Sequence, residues 1–343
     1  MWNFLFLSLQ SYSNTVKEKK RIVLLSLCIG ILLMIIKFLA FIMTNSNAIL
    51  TDAAESIVNV IASSFAFFSI YFASLPKDQN HPYGHGKVEF FSAFLEGGLI
   101  IVAGLIIISK TVYNIFYPEP IKELINGSFL IGITGLVNGT LGWYMVRKGK
   151  QLNSLTIIAD GKHLGTDAVS SFGLIIGLVL IYLTEIFWLD SLISLGLATY
   201  IVYSGYKLTR ISVGGLMDES DLELVEKVLE QFNTHRRDAW IDVHNLRVQR
   251  YGATYHVDCH VTLPYYYDLV KVHHEVSELD KAVNSNTLNT ELFVHADPCV
   301  PQCCHYCNMK DCPVRYESQT VQIDWNVDNV TKNKKHFDKN EEL

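Results

Sequence analysis

The chain has 343 residues, half of them hydrophobic, and a formal net charge of −6 at pH 7. It is more apolar than an ordinary soluble enzyme of this size; the net charge says little about partners, and no nucleic-acid partner is expected. A multi-spanning membrane protein is the class that fits.

In chain order, a short amphipathic stretch ends in the basic cluster Lys17, Lys19, Lys20 and Arg21 and runs directly into a full apolar segment. No cleavable signal peptide is expected from that arrangement. Apolar runs lie at about residues 22–45, 48–74, 89–117, 126–147, 153–184 and 187–208. Each is near the roughly 20 residues needed to cross a hydrocarbon core of about 30 Å. Residues 1–21 and 22–210 are thus read as an N-terminal segment and a six-helix transmembrane domain. The short connections place Lys77, Lys87, Arg147, Lys148, Lys150, Lys207 and Arg210 on the same side as the N-terminal cluster, against Lys122 on the other. The positive-inside rule then puts both termini in the cytoplasm, for a multi-pass protein of the plasma (inner) membrane. Lys37 and Lys110 sit near the outer ends of spans and are read as snorkelling side chains.

Beyond about residue 211 the hydrophobic period changes. Leu222, Val225, Val228 and Leu229 recur at helical spacing, and Val243, Leu246 and Val248 with Tyr255, Val257 and Cys259 flank Gly252 as a hairpin. A helix over about 268–284 and a strand around Glu291–His295 follow. The order helix, strand, strand, helix, strand predicts a cytoplasmic α+β domain over 211–298. A Cys-rich segment occupies 299–316, and the Asn/Lys/Glu-rich residues 317–343 are expected to form a disordered tail.

Two polar pairs interrupt the spans. Glu55 and Asn59 lie in the second and His163 and Asp167 in the fifth, each pair at i, i+4 on one helix face. Counted by helical rise from opposite ends, both pairs reach the middle of the bilayer. Polar side chains there also join helices, by hydrogen bonds worth about 0.6 to 2 kcal/mol. Three ionisable groups at matched depth point instead to an ion site. Imidazole, carboxylate and amide donors from two helices suit a first-row divalent cation. Asp52 and Asp160, one turn away, are candidate supporting or access-path carboxylates.

The stretch Asn47-Ala48-Ile49-Leu50-Thr51-Asp52-Ala53-Ala54-Glu55, the loop from Asn80-His81-Pro82-Tyr83-Gly84-His85-Gly86-Lys87 to Glu89, and Ala159-Asp160-Gly161-Lys162-His163 through Asp167 together resemble the cation diffusion facilitators. The resemblance covers about residues 15–300. It implies six spanning helices, a ferredoxin- or metallochaperone-like cytoplasmic domain, a homodimer, and export of divalent metals from the cytoplasm, often against protons. It also implies that Glu55, Asn59, His163 and Asp167 hold the transported ion. The family commonly has His or Asp, then Asp four residues later, where this chain has Glu55 and Asn59. One anionic donor is therefore a neutral amide, which weakens the field around the cation. Zinc is favoured, with iron, cobalt, cadmium and manganese as competitors.

Asp78, His81 and His85 in the loop after the second span form a second metal candidate, since similar members bind metal in this loop. Lys87 looks like the family's salt-bridge partner for an acid after the sixth span, here Asp218, clamping the dimer. The family's cytoplasmic domain gathers positions equivalent to His244, His260, His273, His295 and Asp297 into a site at the dimer interface. The segment Cys299, Cys303, Cys304, His305, Cys307 and Cys312 holds most of the chain's seven cysteines. In a reducing compartment that density indicates soft-metal ligation, and Cys304-x-x-Cys307 has zinc-ligand spacing.

The mechanism expected is alternating access with metal exchanged for protons. A membrane-tethered metal sensor is the alternative. A metalloenzyme would need an open coordination position beside an acid or base, and no H-E-x-x-H stretch is present.

Overall fold

The computed structural model describes the backbone of residues 2–44, 47–117, 124–184, 188–252, 254–284 and 290–336. Within these, the side chains of residues 2–13, 40, 41, 43, 44, 47–55, 58, 114, 124–131, 174, 177–184, 188–191 and 193 lie outside the description. The chain divides into two units, Met1–Met217 and Asp218–Leu343.

The first unit holds α1 (Trp2–Thr44), α2 (Asn47–Ala73), α3 (Val88–Phe116), α4 (Leu124–Gln151), α5 (Leu155–Thr184) and α6 (Trp188–Leu216). By length and composition, Asn14–Leu39 and Val88–Tyr113 are apolar enough to cross a membrane. The helices α2 and α5 carry Asp52, Glu55, Asp160, Lys162, His163 and Asp167 among their apolar residues. Outward-facing side chains are large and apolar, among them Leu32, Ile42, Ile106 and Phe116. The reverse of a water-soluble surface, this suits lipid.

Inside, the bundle packs α1 on α2, α3 on α6 and α4 on α5, with α2 also meeting α5. The last two of those three pairs close through glycine. A Cβ on Gly161 of α5 would stand 2.9 Å from the Gly142 carbonyl oxygen of α4, and one on Gly205 of α6 would stand 2.8 Å from that of Gly97 on α3. Such small residues let membrane helices approach backbone to backbone where side-chain burial gives no hydrophobic gain.

The second unit contains α7 (Leu222–Thr234), β1 (Asp242–Tyr251), β2 (Thr254–Leu263), α8 (Leu269–Val283), β3 (Thr290–Pro298), a 3-10 turn (Pro301–Tyr306) and α9 (Val327–Val330). Asp221 and Asp268 cap α7 and α8, accepting the main-chain N–H of Leu224 (3.2 Å) and Lys271 (2.8 Å). Gly252, with φ 63°, takes the left-handed conformation between β1 and β2. Those strands are antiparallel, and α8 carries the chain across so that β3 runs parallel to β2, giving the order β1-β2-β3. Val225, Val228, Phe232, Trp240, Val243, Leu246, Val257 and Leu279 fill the core between the sheet and its helices.

Residues 317–336 overturn the expectation of a disordered tail, because they fold onto this unit. Trp325 and Val330 are buried in the core, and Arg236 lies 3.8 Å from the centre of the Trp325 ring. The Lys332 carbonyl accepts Asn245 N–H at 2.8 Å, and His336 pairs with buried Asp242. The polar composition hid three apolar anchors, Trp325, Val327 and Val330, at spacings too irregular to read as an element. Residues 337–343 lie outside the described residues.

Candidate metal centres

In the first unit, α2 and α5 bring Asn59, His163 and Asp167 together. Asn59 Nδ2 donates to Asp167 Oδ2 at 2.6 Å, and its Oδ1 lies 2.9 Å from His163 Nε2. With the amide oxygen able only to accept, the imidazole must carry a proton on Nε2, an assignment made from bonding partners. His163 is buried, and Thr166 Oγ1 ties back to its carbonyl at 2.7 Å. The Glu55 and Asp52 side chains lie outside the described residues, although both positions belong to α2, with Glu55 one turn before Asn59.

Asp160, one turn before His163, is fully buried and accepts Ser63 Oγ of α2 at 2.9 Å through Oδ1, with the Ser26 hydroxyl of α1 also acting on its carboxylate. Glu96 of α3 is also buried, within electrostatic reach of Asp160 and Asp167. Sequence reading passed over Glu96, although a lone carboxylate in an apolar run is the signal that drew attention to the other spans. A second omission is Glu89. Its carboxylate pairs with Lys19 at 3.1 Å and accepts Ser154 Oγ at 2.5 Å, all three buried, so α1, α3 and the residue preceding α5 are joined by one polar knot.

The loop between α2 and α3 folds Asp78, His81 and His85 into a compact triad whose ligand atoms lie within 4.8 Å of one another. Asp78 Oδ1 meets His81 Nδ1 at 3.0 Å and Oδ2 meets His85 Nε2 at 3.3 Å. Gly84, with φ 91°, makes the turn that returns His85 towards Asp78, closed by Gly84 N–H to the His81 carbonyl at 2.9 Å. The main-chain N–H of His81 is the chief cause holding the exposed Asp78 carboxyl below its usual range.

In the second unit the sheet register assembles the next cluster. His244 on β1 is opposite His260 on β2, which is opposite His295 on β3, so three imidazoles form one row across the sheet. Asp297 is their common partner: Oδ2 lies 3.3 Å from His244 Nε2 and 3.4 Å from His260 Nδ1, and Oδ1 lies 3.4 Å from His295 Nε2. His244, His260 and Asp297 offer ligand atoms within 4.8 Å of one another. The irregular register between His244 and Arg247, with Asn245 at φ 53°, marks a bulge beside the row. Burial is the main cause pushing the His244 imidazole below its ordinary value. His273 is exposed on α8 and is not among the groups gathered at this cluster.

Cys299, Cys303, Cys304, Cys307 and Cys312 line a cavity of about 190 Å³ with free thiols, and His305 lies on the 3-10 turn beside them. Burial pushes the thiols of Cys299, Cys303 and Cys307 up. Lys87 belongs to the first unit and Asp218 to the second.

Comparison with known proteins accounts for both units. The cation efflux transmembrane domain matches residues 23–217, and the cytoplasmic domain of cation efflux proteins matches 218–299. An uncharacterised transporter of Synechocystis is 32% identical over 263 residues, covering 77% of this chain and 85% of that protein. Metal tolerance protein C1 of Arabidopsis thaliana is 29% identical over 327 residues, 88% of this chain and 67% of that one. The cation-efflux pump FieF of Cronobacter sakazakii is 25% identical over 285 residues, 81% and 92% of the two chains. Matched from the start of the helical bundle to the end of the three-stranded sheet, the chain belongs to the cation diffusion facilitators, a family of cation efflux transporters and not of enzymes.

Proposed function

We propose that the chain exports a divalent metal, with Zn2+ the favoured cargo, in exchange for protons, through a site formed by Glu55 and Asn59 of α2 with His163 and Asp167 of α5. The supporting observation is the Asn59 amide bridging His163 and Asp167 at 2.9 and 2.6 Å. Imidazole with carboxylates is a zinc-compatible donor set, although Fe2+, Co2+, Cd2+ and Mn2+ compete for the same donor types.

In this reading the metal-free ring is an imidazolium protonated on both nitrogens, and a cation taking the His163 Nε2 lone pair displaces one net proton, whereas a neutral ring would only move its proton to Nδ1. An ordinary imidazole titrates near pH 6.5, within reach of ambient protons. Reprotonation on the far side then restores the Asn59 bridge and expels the ion. Six helices span the plasma (inner) membrane in this reading, both termini are cytoplasmic, and rocking of the bundle exposes the site alternately. The C-terminal unit pairs two copies of the chain, with Lys87 and Asp218 as an ion pair near the membrane. The Asp78–His81–His85 and His244–His260–Asp297 clusters bind further metal ions that modulate transport.

The test is flux into proteoliposomes loaded with a zinc indicator. Asp167→Ala and His163→Ala are each expected to abolish uptake, and undiminished uptake in both removes the transport assignment. A membrane-tethered sensor is the second reading, favoured by the His244–His260–Asp297 cluster. It predicts metal binding by purified wild-type protein with no flux.

A further inference from the structure

We propose that Cys299, Cys304, Cys307 and Cys312 form a thiolate site for a soft d10 cation of the Zn2+, Cd2+ or Cu+ class within the C-terminal unit. The family's cytoplasmic domain ends its match at residue 299, so three of the four cysteines lie beyond it and the site is not inherited from the family pattern.

The four thiols share one cavity of about 190 Å³, lined also by Met309, Tyr265 and Tyr266. Cys299 lies within electrostatic reach of Cys304 and Cys312, and Cys307 within reach of Cys299 and Cys312. Cys304 and Cys307 stand at C-x-x-C spacing on a tight turn, where the Cys307 N–H donates to the Cys304 carbonyl at 3.4 Å. Such a turn presents two sulfurs on one side, as zinc ligation requires.

Burial keeps these sulfurs protonated without metal, and polar groups stand beside them that would face thiolates once a cation is bound. Cys299 Sγ accepts the Tyr265 main-chain N–H at 3.5 Å, and Cys307 accepts that of Met309. The Arg315 guanidinium acts on Cys307 with a favourable charge and ties down the loop, donating to the carbonyls of Cys304 and Cys307 at 3.2 Å each and to that of Met309. Main-chain N–H donors and a fixed cation stabilise thiolate over thiol. No three of these sulfurs lie within 4.8 Å of one another among the described residues; the proposal therefore requires them to close in on the metal, each releasing its proton to solvent. Cys303 also lines the cavity but is buried against Ile241, Tyr306 and Cys307, and is the fifth sulfur at hand.

Full-length protein in detergent, kept reduced with a phosphine, is titrated with Cd2+. The expected result is a sulfur-to-metal charge-transfer absorption that saturates at one ion per chain, survives His163→Ala/Asp167→Ala, and disappears in Cys304→Ser/Cys307→Ser. Unchanged hydrogen-exchange protection of the β1–β2 ladder in Cys304→Ser/Cys307→Ser controls for folding of the unit. X-ray absorption of the bound wild-type metal gives a nearest shell of sulfur. Absence of the band in wild type, its persistence in Cys304→Ser/Cys307→Ser, or a shell of nitrogen and oxygen alone overturns the proposal. Because the transport-site variant is scored separately, failure here leaves the transport reading standing.

Discussion

Asn59 is the residue on which the chemistry of the proposed transport site turns, because it is a neutral amide between an imidazole and a carboxylate. Hydrogen-bonded to His163 and Asp167 at once, it holds both in register and contributes no charge. Asn59→Asp adds an anionic donor beside Asp167, and the expected outcome is divalent-cation binding tighter by on the order of tenfold, about 1.4 kcal/mol, with preference shifted towards harder ions. Calorimetric titration of the purified variant with Zn2+ and Mn2+ checks both. Asn59→Leu removes the bridge without replacing it, taking one hydrogen bond each from buried His163 and part-buried Asp167, and flux is expected to fail. His244 makes a pH prediction of defined sign. Burial holds its imidazole below the ordinary histidine value. Protons therefore compete with metal for this nitrogen only at lower pH, and Zn2+ binding at the cluster should persist as the pH falls through about 6.5. Metal-free, the same unit should lose stability below that pH, since the unfolded chain takes up the proton that the buried ring refuses. Chemical denaturation across pH 5 to 8 measures the loss, and a His244→Gln variant without the pH dependence identifies its source.

At the scale of elements, two features make specific demands. The site on α5 is positioned by how closely that helix lies against α4, where a Cβ on Gly161 meets the Gly142 carbonyl at 2.9 Å and the Val146 N–H nitrogen at the same distance. Gly161→Leu cannot be absorbed by a flexible side chain because backbone is in the way. Transport is expected to vanish while hydrogen-exchange protection of the β1–β2 ladder stays at its wild-type level. The second feature is the C-terminal strap. Trp325 is buried against the domain, its carbonyl takes Asn233 Nδ2 at 3.1 Å, and Arg236 stacks on its ring. Trp325→Ala should cost about 3–5 kcal/mol in that unit, and exchange protection along β1 is expected to drop accordingly in the full chain. A strap without structure would leave it unaltered.

For the molecule as a whole, a helical bundle and a small α+β unit each match one half of the cation efflux family. The Lys87–Asp218 pair is a proposal to be tested through dimerisation, and solvent-exposed pairs contribute about 0–1 kcal/mol. Lys87→Glu is expected to weaken dimerisation by no more than that amount, and Lys87→Glu/Asp218→Lys to recover it, read by sedimentation in detergent. Equal weakening in the single and double variants would remove the pair from the interface. The proposed proton exchange also acts at this scale: if it holds, flux rises when the receiving side is made more acidic, because reprotonation of His163 would accompany release.

Much of this was legible from residue order. Hydrophobic run length located α2 to α6 to within several residues, and the period change near residue 211 announced α7, β1, β2, α8 and β3 in order, because burial of one face imposes a repeat of 3.6 or 2 on the chain. The spacing of Asn59 from Glu55, and of Asp167 from His163, disclosed helix faces for the same local reason. Tertiary structure alone decided what needs distance across the chain: that Asn59 bridges His163 and Asp167, that Glu96 and Asp160 share the bundle's interior, that His244, His260 and His295 fall into one row with Asp297 while His273 stays outside, and that Trp325 brings an apparently unstructured tail into the core. Local pattern reports which face of an element is buried. Which faces then meet is set by helix packing and strand register, and those depend on the whole chain at once.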